Sequence, residues 1–279
     1  MIRIGSTKIP MSTVIFFPIC VFFAFIFLVP FAWMLSASFK TNIELFEYPI
    51  RWIPPAFRTD NYVRVWTSVN FLQYYTNTAR LTVLITIIQL FTCSLAAFSF
   101  SKLRFPGRDK IFICYLATMM VPWHAILIPQ FIVVRNFGLY DTHLALVALN
   151  AFSAFGVFLL RQNMISIPDS LHEAAKLDGC GPFRTYWNII LPLAKTGIAV
   201  LIIFTFNSTW NTYMQALIFL QSRNLQVIQV GLAQFRQEFT TDFTAIMAGT
   251  VCAIIPIVIV YAFAQKHIIE GVAFSGIKG

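Results

Sequence analysis

The residue types and spacing in the segment from Glu173 to Pro192 are those of a surface that recognises another protein. It is polar and helix-forming, is interrupted by Gly179, and lies between two apolar runs long enough to cross a bilayer. Ala174 and Ala175 give it a small-residue face that permits close approach by another protein. We therefore expect a soluble partner to dock here. The alternative, a helix resting on lipid headgroups, would need large apolar anchors on one face.

Local signals predict two short helices within this segment. Ser170 and Glu173 have the spacing of a capping box, so Glu173 is expected to help cap the first helix. Gly179 is expected to end that helix in a left-handed conformation. Pro182 occupies the favoured first position of a second helix, which Pro192 is expected to end. The predicted arrangement is a helix, a glycine turn and a second helix.

A second polar group lies in the apolar run near residues 197–219. Asn207 and Asn211 are four residues apart and share a helix face, with Trp210 and Tyr213 close by. Amides in hydrocarbon are costly unless paired, so this face should look into protein or a watery cavity. Sugar hydroxyls and ring faces would suit amides and aromatic rings. Hydrogen bonding between helices explains the same residues equally well.

Trp123 is a further candidate for lining a pathway. It stands between Pro122 and His124 in an apolar run that also contains Pro129, so this helix is expected to be kinked. His124 could line the same pathway or hydrogen-bond a carbonyl freed by the kink. Both interpretations remain open for His124.

The elements that position these residues are predicted to be membrane helices. The chain has 279 residues, of which 58% are hydrophobic and 11% charged, whereas about a quarter are charged in soluble domains. Long uncharged windows favour helices over barrel strands, which would alternate polar and apolar residues. The fold class is therefore all-α, a polytopic membrane protein with six transmembrane helices in one domain, 1–279, and a cytoplasmic loop at 161–196. The six runs fall at about 13–36, 79–100, 111–133, 143–160, 197–219 and 244–264.

The net charge of +9 reflects membrane orientation rather than nucleic-acid binding. With the N-terminus inside, cytoplasmic segments hold twelve of the twenty Lys and Arg residues, external segments hold seven, and Arg80 lies at a boundary. The short loops discriminate best, with four bases in 101–110 and one in 134–142. This distribution follows the positive-inside rule and places both termini in the cytoplasm. No nucleic-acid partner is expected.

The first apolar run is interpreted as an uncleaved helix. The small residues Ser36 to Ser38 would suit a signal-peptide cleavage site, but the apolar stretch exceeds the 7–15 residues of a signal core. The five cysteines are odd in number and show no paired spacing, so neither a disulfide framework nor a metal site is expected.

The sequence shows no group of residues typical of a catalytic site. His172 and Glu173 match the first two positions of the zinc-binding motif H-E-x-x-H, but Lys176 occupies the position of the second histidine. No phosphate-binding G-x-x-x-x-G-K-[ST] loop occurs. The membrane runs hold no acid or base at mid-depth, unlike typical secondary transporters and pumps. We expect no catalytic residue and no cofactor in this chain.

The cytoplasmic segment resembles the signature loop of ABC importer permeases. That signature reads Glu-Ala-Ala, three residues, Gly, nine residues, Ile-x-Leu-Pro, and it is matched here by Glu173, Ala174, Ala175, Gly179, Ile189, Leu191 and Pro192. The resemblance implies that the loop forms coupling helices in a cleft of an ATPase subunit. Glu173 would then make a polar contact with the ATPase, and Gly179 would allow the tight turn.

The chain also resembles the carbohydrate-uptake branch of that family over nearly its whole length. Supporting segments include 105–108, Trp210-Asn211 and the ending 276–279. The resemblance implies a sugar importer in a bacterial or archaeal inner membrane. Its partners would be a second, similar permease, two ATPase subunits carrying ATP and Mg, and an extracytoplasmic binding protein. The alternatives are an ABC permease for another small solute and a secondary transporter outside the ABC class.

The external loop 221–242 is rich in glutamine and poor in charge. The resemblance implies that it reaches toward the binding protein, and the candidate contacts are Gln226, Gln229 and Gln234. A solvated connector is the alternative.

Overall fold

A computed structural model describes residues 2–4, 7–9, 11–68, 70–236 and 241–276. Residues 277–279, part of the ending that supports the resemblance, lie outside the described residues. Two short antiparallel strands, β1 (Ile2–Ile4) and β2 (Thr7–Ile9), precede a helical chain. The helices are α1 (Met11–Ala37), α2 (Asn42–Leu45), α3 (Asp60–Ser68), α4 (Phe71–Lys102), α5 (Arg108–Ala117), α6 (Trp123–Asn136), α7 (His143–Asn150), α8 (Ala154–Ile165), α9 (Asp169–Leu177), α10 (Pro182–Thr185), α11 (Leu191–Leu193), α12 (Lys195–Trp210), α13 (Met214–Phe219), α14 (Ile228–Ala233) and α15 (Phe243–Gly276).

Three segments are single helices long and apolar enough to cross a membrane: Phe16–Ala37, Phe71–Lys102 and Phe243–Lys266. Three further spans are bent helix pairs, so by length and composition the count reaches six only if each pair is one span. The bends are 99° between α5 and α6, 42° between α7 and α8, and 79° between Pro182–Leu193 and α12. Each of the six predicted apolar runs overlaps one of these spans, and the all-α class is confirmed.

Two of the breaks bear on the predicted helices. The third run bends at Pro122, in the helix that was expected to be kinked, because the missing proline N–H and the proline ring favour a helix end. The run predicted as one helix at 197–219 is interrupted between Trp210 and Met214, so α12 and α13 are separate.

The chain groups into two compact units. The first unit comprises Met1–Val69 with Leu232–Cys252, and the second comprises Asn70–Gly231 with Ala253–Gly279. In the first unit, Arg64 pairs with Asp242 at 2.6 Å, and Asp242 Oδ1 accepts the Ala245 N–H at 3.0 Å near the start of α15. This carboxylate therefore caps the last long helix.

The second unit carries the candidate site residues except Gln234, and it has two apolar cores. One surrounds Cys93, Leu160 and Ile190, and the other surrounds Ile85 and Leu146. Helix α4 contributes to both cores and packs most extensively against α8 and α12. It is consequently the element against which the rest of this unit is positioned.

Candidate coupling surface and pathway cavity

Helix α9 is the first helix of the 161–196 segment, and it begins two residues earlier than predicted. Its N-cap is Pro168, no side chain caps it, and Ser170 lies within the first turn. The predicted capping box is therefore wrong. Asp169 lies in the first turn, where a carboxylate favours the positive end of the helix dipole. Glu173 is exposed and takes no part in capping.

Helix α9 has two chemically distinct faces. His172 and Ala175 are buried, at 5% and 3% exposed, and turn toward the rest of the unit. Glu173 and Ala174 are exposed on the opposite side. Ala174 and Ala175 therefore have different environments, because Ala175 packs against the rest of the unit while Ala174 lies on the exposed face.

Gly179 ends α9 in the left-handed conformation that the sequence predicted. Its φ is +77°, and a side chain added there would meet nothing within 4 Å. The Cys180 N–H donates to the Ala175 carbonyl at 2.8 Å, and the Gly179 N–H donates to the Lys176 carbonyl at 3.0 Å. These bonds satisfy carbonyls that the helix end leaves free. Glycine is required here by its backbone angle and not by crowding.

The second half of the segment starts at Pro182, as predicted. Tyr186, Ile190 and Ala194 are buried at a spacing of four residues, as expected for one helix face packed on the core. Leu191 is half-buried against the same core. Pro192 is exposed and lies inside α11, so the predicted helix end at Pro192 is displaced to Ala194.

A buried lysine ties this segment to α4. The Lys102 side chain is 1% exposed, and its Nζ donates to the Ile167 carbonyl and to Asp169 Oδ1, both at 2.6 Å. A buried ammonium is costly unless it is paired and hydrogen-bonded, and here it is both. The sequence marked Lys102 only as one of the bases of a cytoplasmic loop.

The second unit also encloses a cavity of about 280 Å³ within its helices. Trp123 and His124 from α6 and Tyr213 line it, together with Leu81 and Ile85 from α4. The remaining lining residues are Leu146, Asn150, Ser208, Thr209, Thr212, Met214 and Gln215. Apolar walls with a few convergent polar groups are typical of small-molecule sites.

A second cavity, of about 360 Å³, shares Asn150, Ser208 and Thr209 with the first. Its polar lining also includes Gln89 and Thr205. Among the described residues, no aspartate, glutamate, lysine or arginine lines either cavity. Sequence reasoning missed Gln89 and Asn150, although polar residues inside otherwise apolar runs were the available signal.

Three of the five residues predicted to line a pathway lie outside both cavities. Trp210 is 2% exposed, and its Nε1 donates to the Ala253 carbonyl at 2.9 Å. Asn211 Nδ2 donates to Asn207 Oδ1 at 3.1 Å, and Gln229 Nε2 donates to Asn211 Oδ1 at 3.0 Å. The Asn207–Asn211 bond lies within α12 and its C-cap, whereas the Gln229–Asn211 bond joins α14 to that C-cap. Trp123 and Tyr213 are the two candidates that reach the first cavity.

The glutamines of the external loop also differ among themselves. Gln226 is buried, and its Nε2 donates to the Leu220 carbonyl at 2.6 Å. Gln229 is half-buried and is bonded to the exposed Asn211. Gln234 is exposed. Only Gln234 among these three predicted contacts has an open side chain.

Comparison with known proteins identifies the family. Residues 89–273 match the family described as the binding-protein-dependent transport system inner membrane component, a match that covers α8 to α12, the whole lining of the second cavity and all of the first cavity's lining except Leu81 and Ile85. The chain belongs to this family. It is therefore an inner-membrane transport permease and not an enzyme.

Relatives of the permease match along nearly their whole length. The chain is 32% identical over 264 residues to the probable ABC transporter permease protein YurM of Bacillus subtilis, covering 92% of this chain and 87% of YurM. It is 28% identical to the arabinooligosaccharides transport system permease protein AraQ of Halalkalibacterium halodurans, covering 92% and 94%. A crystal structure of a bacterial ABC transporter that imports the acidic polysaccharide alginate superposes with a TM-score of 0.79 at 27% identity, covering 94% and 100%.

The permease should lose stability at acid pH through His172. Burial lowers the pKa of His172, and Lys176 and Lys102 lower it further. The folded permease therefore protonates this ring less readily than an unfolded chain does, in which the ring titrates near its ordinary value of 6.5. As pH falls through that value, the unfolded chain takes up a proton that the folded chain resists, so folding is destabilised on acidification. We expect the protection of the α9 amides, which is the intrinsic exchange rate relative to their observed rate at the same pH, to be lower at about pH 5.5 than at about pH 7.5.

The His172→Phe variant tests this assignment. It keeps an aromatic ring against Phe98, which lies 6.2 Å from the His172 ring centroid, and removes the titrating group. The pH dependence of α9 amide exchange should be smaller in the variant. An equal dependence in both proteins would place the titration elsewhere.

Proposed function

We propose that this permease is one subunit of an ATP-driven importer that carries an uncharged sugar or oligosaccharide. The observation that carries the proposal is the pair of cavities lined by amides, hydroxyls and aromatic rings. Amides and hydroxyls exchange hydrogen bonds with sugar hydroxyls, and Trp123 and Tyr213 offer faces to the apolar side of a sugar ring.

The chemistry of the cavities favours a neutral substrate. A carboxylate taken out of water needs a cationic partner, and neither cavity provides a lysine or an arginine. AraQ is named for arabinooligosaccharides, which are uncharged, whereas the alginate transporter is described as importing an acidic polysaccharide. An acidic saccharide is therefore the second candidate substrate class.

The proposed assembly contains a second, similar permease, two ATPase subunits that bind ATP and Mg, and an extracytoplasmic binding protein. The open face of α9 supports ATPase docking, because Glu173 and Ala174 are exposed beside the exposed turn at Gly179. Leu191 and Pro192 would hold the second half of the coupling loop. The charge distribution supports a multi-pass orientation with both termini in the cytoplasm.

Uptake measurements test the substrate class. The importer should take up neutral arabinooligosaccharides or similar neutral saccharides, delivered by its binding protein, in an ATP-dependent manner. Oligogalacturonates of matched length should not compete. Competition by the acidic saccharides alone would establish the second candidate, and uptake driven by a proton gradient without ATP would overturn the importer proposal.

The Tyr213→Ala variant tests the cavity itself. Removing the ring from the first cavity should lower saccharide uptake several-fold while ATPase co-purification stays unchanged. Asn211→Ala is the matched control, since Asn211 lies nearby, is exposed and lines neither cavity. Equal effects of the two substitutions would show that the cavity is not the saccharide path.

A further inference from the structure

Helix α4 differs from every other candidate span in the described residues because it has neither a proline nor a break. α1 contains Pro18 and Pro30, α15 contains Pro256, and the remaining three spans are bent pairs. α4 has 32 residues and is therefore about 48 Å long. This length exceeds the roughly 30 Å of hydrocarbon in a bilayer, so the helix extends beyond it.

The cytoplasmic end of α4 is held by the first coupling helix. Lys102, the last residue of α4, donates to the Ile167 carbonyl and to Asp169, the first residue of α9, at 2.6 Å each. The bonds are charge-assisted, short and, on the lysine side, shielded from water. A displacement of α9 must either move the end of α4 or break both bonds.

The second half of the coupling loop holds α4 at another height. The Ser94 and Tyr186 hydroxyls are hydrogen-bonded at 2.8 Å, and the Phe98 and Tyr186 rings lie 5.4 Å apart. Ser94 and Lys102 are eight residues apart, which corresponds to about 12 Å along the helix. Two attachment points at different heights resist tilting as well as sliding.

The external end of α4 is attached to the loop that begins at residue 221. Asn77 Nδ2 donates to the Asn224 carbonyl at 2.8 Å and to the Gln226 carbonyl at 3.0 Å. Gln73 Nε2 also donates to the Asn224 carbonyl, at 2.9 Å. Thr78 Oγ1 accepts the Ile228 N–H at 2.9 Å.

Between these ends, α4 forms part of both cavity walls. Leu81 and Ile85 line the first cavity, and Gln89 lines the second. Gln89 is also fixed laterally, because its Nε2 donates to the Asn150 carbonyl at 2.7 Å and its Oε1 accepts the Thr205 hydroxyl at 2.9 Å. A movement of α4 along its axis would change both cavities.

We propose that α4 is the transmission rod of the permease, joining the ATPase-facing loop to the binding-protein-facing loop, with Lys102 and Asn77 as its positioning residues. The proposal rests on the proposed function, since it takes docking at α9 and at the external loop as given. An unbroken helix resists bending, so a displacement imposed at either end is carried to the other end and to the cavity walls.

The experiment uses the complete assembly, with its ATPase subunits, in proteoliposomes. ATP hydrolysis is measured with and without the binding protein carrying the saccharide identified by the uptake measurements. Asn77→Leu and Lys102→Met should each reduce the stimulation by the loaded binding protein about five- to tenfold, a typical allosteric coupling. Basal hydrolysis and ATPase co-purification should stay at wild-type levels. Asp169 is 72% exposed, so its carboxylate stays hydrated when Lys102 is removed.

Matched controls lie outside these attachments. Lys110→Met and Asn136→Leu replace exposed residues of the same types, away from α4, and should preserve stimulation. Tyr186→Phe removes only a hydroxyl and should also weaken stimulation, which covers the case in which Lys102→Met reduces the yield. If one rod carries both effects, the Asn77→Leu, Lys102→Met double variant should lose no more stimulation than the more impaired of the two single variants.

The outcomes separate the two proposals. A wild-type assembly without saccharide-dependent stimulation overturns the proposed function and the rod with it. A stimulated wild type together with Asn77→Leu, Lys102→Met and Tyr186→Phe variants that behave like the controls overturns the rod alone. Strictly additive losses in the double variant would also overturn the rod, because they would indicate independent local effects.

Discussion

Transport is expected to fall at least about tenfold, the equivalent of about 1.4 kcal/mol, when Glu173→Lys and Gly179→Leu are combined, while the chain still inserts normally. Gly179 adopts φ +77°, where a leucine costs about 1–2 kcal/mol of backbone strain. The strain would shift the turn that presents the second half of the coupling loop. Glu173→Lys reverses a charge on the exposed face of α9. Uptake and ATPase co-purification report the loss, and the yield in the membrane fraction reports insertion.

Gly138→Leu is the control for this experiment. Gly138 has φ +69° and likewise no atom within 4 Å of an added side chain, so the backbone strain is matched. It lies between α6 and α7, away from the coupling loop. Transport should survive Gly138→Leu. Full transport by the Glu173→Lys, Gly179→Leu variant, or an equal loss in the control, would remove the coupling assignment from this loop.

The absence of a capping bond makes Glu173 a cleaner test than the sequence suggested. A capping box would have mixed two effects, because replacing Glu173 would loosen α9 as well as remove a partner contact. In the structure α9 starts at Asp169 without a side-chain cap. Glu173→Lys alone should therefore weaken ATPase co-purification without changing amide exchange in α9.

Gly231→Ala is expected to have the largest effect on stability. An added Cβ would lie 2.5 Å from Tyr74 Cδ2, and Tyr74 is 2% exposed, so its ring has little room to move. Overpacking of this kind costs about 1–3 kcal/mol. The variant should show a lower melting temperature in detergent and a lower membrane yield.

Two further variants isolate this contact. Gly181→Ala has no atom within 4 Å of the added Cβ and should leave the melting temperature nearly unchanged. Tyr74→Leu removes the opposing ring, so adding Gly231→Ala to Tyr74→Leu should cost less than adding it to the wild type. An equal loss of melting temperature in both backgrounds would show that the Tyr74 ring is not what excludes a side chain at position 231.

Features that depend on nearby residues were predictable from the sequence. The left-handed turn at Gly179 and the helix start at Pro182 follow from the backbone preferences of single residues. The positions of the apolar runs follow from composition, and each overlaps a span. The capping box failed because α9 starts at Asp169 with Pro168 as its N-cap, so Ser170 lies inside the first turn instead of before it.

The choice between a pathway residue and a packing residue could not be made from the sequence. Trp210 and Tyr213 are three residues apart and equally suited to a sugar ring, yet the break after α12 buries Trp210 and turns Tyr213 into the cavity. Helical periodicity assumes one continuous helix, so it fails wherever the helix is interrupted.

The sequence by itself determined the membrane class, the polar segment from Glu173 to Pro192 and its glycine turn, because these depend on composition and on local backbone preferences. Only the tertiary structure decided which residues meet across the chain. It brings Lys102 to Asp169 and Asn77 to the carbonyls of Asn224 and Gln226, and it makes α4 part of the walls of both cavities. Such contacts bridge 67 to 149 residues of sequence, and the packing that creates them has no local signature.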